Sequence, residues 1–173
     1  WIPQMRKIYY EDTLWNCRKD LDKKAVYLAT AVCLDSGVRI SNIIHQNGED
    51  RVNHGILLGH VNFIFANESN PISGGEFLVY FQSNGSLKEL VTRIDLYFYS
   101  SKSSTKSGTI KGVEPCSIGR SGVLDSQLID DLIDWIVFNK LTAEDQLFTR
   151  YYKKSKTMLR YRPVNEAVKY MVE

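Results

Sequence analysis

Val91-Thr92-Arg93-Ile94-Asp95-Leu96-Tyr97-Phe98-Tyr99 is the stretch on which the reading of the fold turns. Thr92, Ile94, Leu96 and Phe98 alternate with Arg93, Asp95, Tyr97 and Tyr99, the period of two that a half-buried strand requires. The first set is predicted to point inward and the second outward. Moving back along the chain, Leu57, Gly59, Val61, Phe63 and Phe65 fall on one face of a second strand, with His60 and Asn62 on the other. Phe77, Val79 and Phe81 alternate with Glu76, Leu78, Tyr80 and Gln82 in a third. Lys24 to Leu34, KAVYLATAVCL, is apolar on both faces, which predicts a strand covered on both sides. Turn residues separate these runs at Asp35-Ser-Gly37, Asn47-Gly48, Asn70-Pro71 with Gly74-Gly75, and Asn84-Gly85. Strands in direct succession with short turns favour an antiparallel sheet.

Moving forward, residues 100–122 are rich in Ser and Gly, carry Lys102, Lys106, Lys111 and Arg120, and are predicted to form an exposed loop. Helical spacing then takes over. From Leu124 to Lys140, residues Leu124, Leu128, Ile129, Leu132, Ile133, Trp135 and Ile136 make an apolar face, with Gln127, Asp130, Asp131 and Asp134 on the remainder. Burial is expected for Leu128, Leu132, Ile133 and Ile136, and exposure for Asp130 and Asp134. Thr142-x-x-Asp145 has capping-box spacing and predicts a second helix running towards Lys154. Pro163 precedes a short amphipathic stretch with Val164, Ala167, Val168 and Met171. The expected fold class is α+β: a mainly antiparallel sheet from the N-terminal two thirds, packed against two or three C-terminal helices. A single domain over 1–173 is expected, β-rich to residue 100, a loop over 101–122 and helical from 123.

Composition narrows the class further. With 173 residues and 43% hydrophobic side chains, the chain is long and apolar enough to bury a real core. A net charge of +2 is too small to imply a polyanion partner by itself, so any such inference rests on where the cations cluster. Cys17, Cys33 and Cys116 are odd in number and far apart, with no CxxC pair, so neither a zinc ribbon nor a disulfide framework is expected. A reducing compartment, cytoplasmic or nuclear, follows from that usage. Asn67-Glu-Ser69 and Asn84-Gly-Ser86 fit the glycosylation sequon, but three-residue matches arise often by chance. The longest apolar run, Gly55 to Ala66, is too short and too polar to cross a bilayer.

Cys116-Ser-Ile-Gly-Arg-Ser-Gly122, leading into a helix, resembles the phosphate-binding loop of the protein tyrosine phosphatases. The resemblance would make Cys116 a nucleophile and Arg120 its anion clamp. That family places five residues between the cysteine and the arginine, whereas here there are three. Two loop amides are missing, Pro115 stands where the family has His, and no Trp-Pro-Asp acid loop lies upstream. Cys116 is therefore expected to be no nucleophile and to keep an ordinary thiol pKa. His45, His54 and His60 are all the histidines, but they lack HxH or HxxxH spacing, so no metal site is expected. No nucleophile elbow, Walker loop or dinucleotide fingerprint is present, and no cofactor is expected. A fainter likeness joins Leu34-Asp35, Val38-Arg39-Ile40 and Gly55-Ile-Leu-Leu-Gly-His-Val61 to the core of the plant-virus 30K movement proteins, which have an aspartate-bearing strand and a Leu-Leu-Gly turn. The helical C-terminal third departs from that family, and the likeness points no further than to a viral origin.

The signal left standing is charge. Arg150, Lys153, Lys154, Lys156, Arg160, Arg162 and Lys169 lie close together against one acid, Glu166, with Tyr151, Tyr152, Tyr161 and Tyr170 interleaved. Cations of this density neutralise phosphates, and tyrosines stack on bases or sit among lipid headgroups. Lys102 and Lys106 would extend the patch if their loop folds towards it. Helical spacing of 150, 153 and 154 predicts one cationic helix face. The reading that follows is a non-enzymatic structural or interaction protein, self-assembling, that touches nucleic acid or an anionic membrane through this surface. The alternative is an enzyme whose site is assembled from scattered residues, since many active sites leave no local motif.

Overall fold

The computed structural model describes residues 4, 6–7, 20–44, 55–66, 70–83, 86–97, 115–120, 126–152, 155–159, 164–165 and 169. At 20–22, 41, 83, 126, 150–152 and 155–158 it describes the backbone alone. Val91–Leu96 is a strand (β3), as its alternation predicts, and Val61–Phe65 (β1) pairs with it antiparallel. Ile72–Ser73 (β2) flanks β1, and Cys116–Gly119 (β4) flanks β3, giving the order β2-β1-β3-β4. All three pairings are antiparallel. β4 lies inside the stretch predicted as an exposed loop. Its Ile118 is buried opposite Ile94, an apolar position that the surrounding Ser and Gly residues conceal in a composition scan.

Register divides the sheet into two chemically distinct faces. Ile72, Phe63, Ile94 and Ile118 stand opposite one another across the four strands, and all are buried. One step along, Ser73, Asn62, Asp95 and Ser117 form a polar row, which strand alternation assigns to the other face. Ser126–Asn139 (α5) packs against β3 and β4, and Leu128, Leu132, Ile133 and Ile136 are buried as expected. Asp134 is exposed; Asp130 is only partly so, because it accepts from Arg120 Nη2 at 2.6 Å. Trp135 donates its indole N–H to the Leu147 carbonyl at 2.9 Å, which fixes the chain that follows the helix. The helix ends in a Schellman motif: Leu141 N–H reaches the Ile136 carbonyl, Lys140 N–H reaches Val137, and Lys140 takes φ 48°.

Three elements correct the expectations. Asp20–Ser36 (α1) is a helix where a doubly covered strand was predicted over Lys24–Leu34. Ala25, Val26, Tyr27, Leu28, Ala29, Ala31 and Val32 are all buried, and a helix apolar on every side reads in sequence like a fully buried strand. Three alanines tip the balance, and Thr30 and Ser36 return their hydroxyls to the carbonyls four residues back. Gly37, at φ +68°, stops the helix where the sequence signals a turn. The Asp35 that would lie on a strand in the 30K likeness belongs to this helix. Ile40–Ile43 (α2) is a further short turn of helix.

Gly74–Ser83 (α3) is likewise helical, against the predicted alternation of residues 76–82. Ser73 donates through its N–H and Oγ to Glu76 Oε2, at 3.4 and 2.7 Å, half of a capping box that starts the helix. Phe77 then stacks on Phe63 with ring centroids 3.9 Å apart, and Phe81 follows one helical turn later. Leu87–Leu90 (α4) leads into β3. The described residues thus hold more helix than strand, and the fold is α+β with an antiparallel sheet, as expected.

The third correction concerns the end of the chain. Thr142 N–H does reach Asp145 Oδ2 at 2.8 Å, so the local box forms, but no helix follows. Ala143–Leu147 instead runs beside Ile56–Gly59, with Leu147 N–H to Ile56 O, Leu58 N–H to Asp145 O and Gly59 N–H to Ala143 O. Beyond it, Thr149–Tyr152 (β5) and Ser155–Met158 (β6) pair antiparallel as a separate two-stranded ribbon. α5 is the C-terminal helix described at length, and residues 164, 165 and 169 are helical as well. Val164 is helical and buried. The chain divides into two compact units: Ile56–Leu147, holding the four-stranded sheet, and 1–55 with 148–173, holding α1 and the ribbon.

Candidate nucleic-acid interface

The basic segment after Leu147 becomes a ribbon because its residues suit strands better than a helix. Thr149, Tyr151, Tyr152 and Thr157 are β-branched or aromatic, and no acid lies between Arg150 and Arg162 to support helical ion pairs. The ribbon is anchored at its base. Phe148, Thr149 and Leu159 are buried, Leu159 N–H reaches the Phe148 carbonyl at 3.1 Å, and β5 lies against α1. Arg150 stands opposite Thr157, Tyr151 opposite Lys156, and Tyr152 opposite Ser155.

This geometry corrects the predicted cationic helix face. Arg150 lies in β5, so its spacing to 153 and 154 carries no helical meaning. Of the residues singled out, the ribbon places Arg150 and Lys156 one rung apart. Lys153, Lys154, Arg160, Arg162, Lys102 and Lys106 lie outside the described residues.

A second polar group escaped the sequence reading. Asp95 was expected to point outward but is buried; Arg93 grips both its oxygens at 2.9 and 3.1 Å, and Ser117 donates to Oδ1 at 2.6 Å. Only the register, which sets Ser117 across from Asp95, could have revealed the pair. Three donors meet this carboxylate, so it is a satisfied structural group. Arg120, the clamp of the phosphatase likeness, is equally committed. Its guanidinium donates to the carbonyls of Val91 and Lys88 and to Asp130, tying β3 and α4 to α5. Lys88 adds a 2.7 Å pair with Asp134 on the same helix. Burial pushes the Cys116 thiol above its ordinary value, still further from a thiolate than expected. Burial also lowers His60, the one histidine among the described residues. No group of three or more metal-ligating side chains occurs among the described residues. No protein-family model, curated protein or solved structure matches this chain.

Proposed function

We propose that this chain is a non-enzymatic interaction protein that binds nucleic acid through the β5–β6 ribbon. The observation carrying this reading is that the most basic stretch of the sequence includes a two-stranded ribbon, Thr149–Tyr152 with Ser155–Met158, an element that nucleic-acid-binding proteins use. Six cations and no acid lie between Arg150 and Arg162, so phosphate neutralisation dominates the binding energy. Tyr151 and Tyr152 add surfaces on which bases stack. The commitment of Asp95 and Arg120 to internal partners weighs against an enzyme built on either. No described helix is long and apolar enough to cross a membrane.

The test titrates single-stranded RNA, duplex DNA and anionic vesicles against the wild type and the triple variant Arg150→Ala, Lys153→Ala, Lys154→Ala, with circular dichroism to verify folding. Nucleic acid should bind with a steep salt dependence, and the variant should lose about one unit of log–log slope per phosphate contact removed. Equal binding by both proteins removes the ribbon from the reading. Binding to vesicles alone replaces nucleic acid with a membrane surface.

A further inference from the structure

The hydrogen-bond phase of the four-stranded sheet fixes which main-chain groups of its outer strand are open. Tyr97 N–H reaches the His60 carbonyl at 2.9 Å, and Arg120 N–H reaches the Thr92 carbonyl at 2.9 Å. Bonded and non-bonded pairs alternate along an antiparallel ladder, so β3 directs Arg93 and Asp95 towards β1 and Ile94 and Leu96 towards β4. In β4, Cys116 and Ile118 therefore turn their N–H and C=O inward, while Ser117 and Gly119 turn theirs outward. β4 ends the strand order, and among the described residues nothing pairs with this outer row. The opposite edge is blunt: β2 is two residues long, follows Pro71 and runs straight into α3. β4 has four residues, Cys116-Ser117-Ile118-Gly119, and no charge within it to turn a second strand away.

We propose that β4 is a self-association edge, at which two copies of this chain pair antiparallel about a two-fold axis through Ile118. The open groups match a second copy in that register. Ser117 stands opposite Gly119 of the second copy, and Gly119 opposite its Ser117. Each pair exchanges both N–H···O bonds, so every outward group of these two residues is satisfied. Faces match as well: Ile118 meets its own mate on the apolar side, and Ser117 meets a residue with no side chain on the polar side. Turning about Ser117 instead sets Gly119 against Pro115, which has no N–H to give. An axis between Ser117 and Ile118 sets the polar face of one copy against the apolar face of the other. The dimer is isologous, the commonest form of homo-oligomer, and it is independent of what the ribbon binds.

The experiment is sedimentation of the full chain in reducing buffer, free of nucleic acid. The wild type should show a monomer–dimer equilibrium below about 200 µM. Gly119→Pro and Ser117→Pro each remove an outward donor and leave the ladder to β3 intact, so each should weaken the dimer at least about tenfold. Ser117→Ala, which loses only the side-chain bond to Asp95, should dimerise like the wild type. Register is read by crosslinking in chains with Cys17, Cys33 and Cys116 replaced by Ala. A Ser117→Cys chain mixed with a Gly119→Cys chain should form a disulfide between them, since bonded pairs hold Cα atoms about 5.5 Å apart. Either chain alone should form far less. A wild type that stays monomeric, or a dimer untouched by both proline substitutions, overturns the edge. Crosslinking as fast within one variant as in the mixture overturns the register about Ile118.

Discussion

Cys33 shows how a single buried group links the fold to solution conditions. It sits partly buried in α1, and burial pushes its thiol from 9.0 up to about 12. The fold therefore favours the protonated form. Above pH 9.0 the unfolded chain releases a proton that the folded chain holds, so the stability contribution is complete below that value and is lost progressively towards about 12. Urea unfolding at a series of alkaline pH values should show a steeper loss for the wild type than for Cys33→Ala. Parallel curves would contradict the burial argument. Asp95 and Arg120 make the complementary point, since both belong to residue types that a motif search flags and both are consumed by internal bonds. Arg93 lies two residues from Asp95 on the same strand, but Ser117 and the partners of Arg120 lie on other elements, at separations of up to 32 residues, where no local pattern could announce them.

Among the elements, α3 depends on a close backbone approach. A Cβ added at Gly74 would stand 2.1 Å from the Leu58 carbonyl oxygen, and backbone at that distance cannot yield cheaply. Gly74→Ala should destabilise the chain by about 1–3 kcal/mol in urea unfolding, through a shift of α3 against the turn at Leu58–His60. An unchanged midpoint would mean that this junction is loose. The same helix shows where sequence reading stops. β1 and α5 were legible because each has one buried and one more open face, so the period survives in the residue pattern; β3 was legible as a strand, although Thr92 is exposed and Asp95 buried against its alternation. In α1 burial surrounds the element and erases the period. In α3 the aromatic residues at 77 and 81 satisfy a helix turn and a strand alternation alike. Thr142 and Asp145 formed their predicted bond without a helix, because the chain beyond them pairs with Ile56–Gly59. The basic segment was legible as composition, since charge needs no fold to be counted. Its shape was not, since a hairpin depends on a register that Arg150, Lys153 and Lys154 do not encode.

For the whole molecule, the two units divide the physical work. In Ile56–Leu147 the ends meet through the Leu147–Ile56 hydrogen bond, the apolar sheet face is covered by α3 and α5, and Asp95 and Arg120 bond to partners within the unit. That unit reads as a self-consistent scaffold. The other unit combines the buried helix α1 with a ribbon whose sequence concentrates positive charge. Binding should therefore be registered by the ribbon and leave the four-stranded sheet unmoved. Amide hydrogen exchange of the full chain, followed by mass spectrometry with and without saturating duplex DNA, reads this division directly. Exchange should slow in peptides covering Phe148–Leu159 and stay unchanged across Val61–Phe65 and Val91–Leu96. Protection in the Ile56–Leu147 unit, with the ribbon unaffected, would contradict that division.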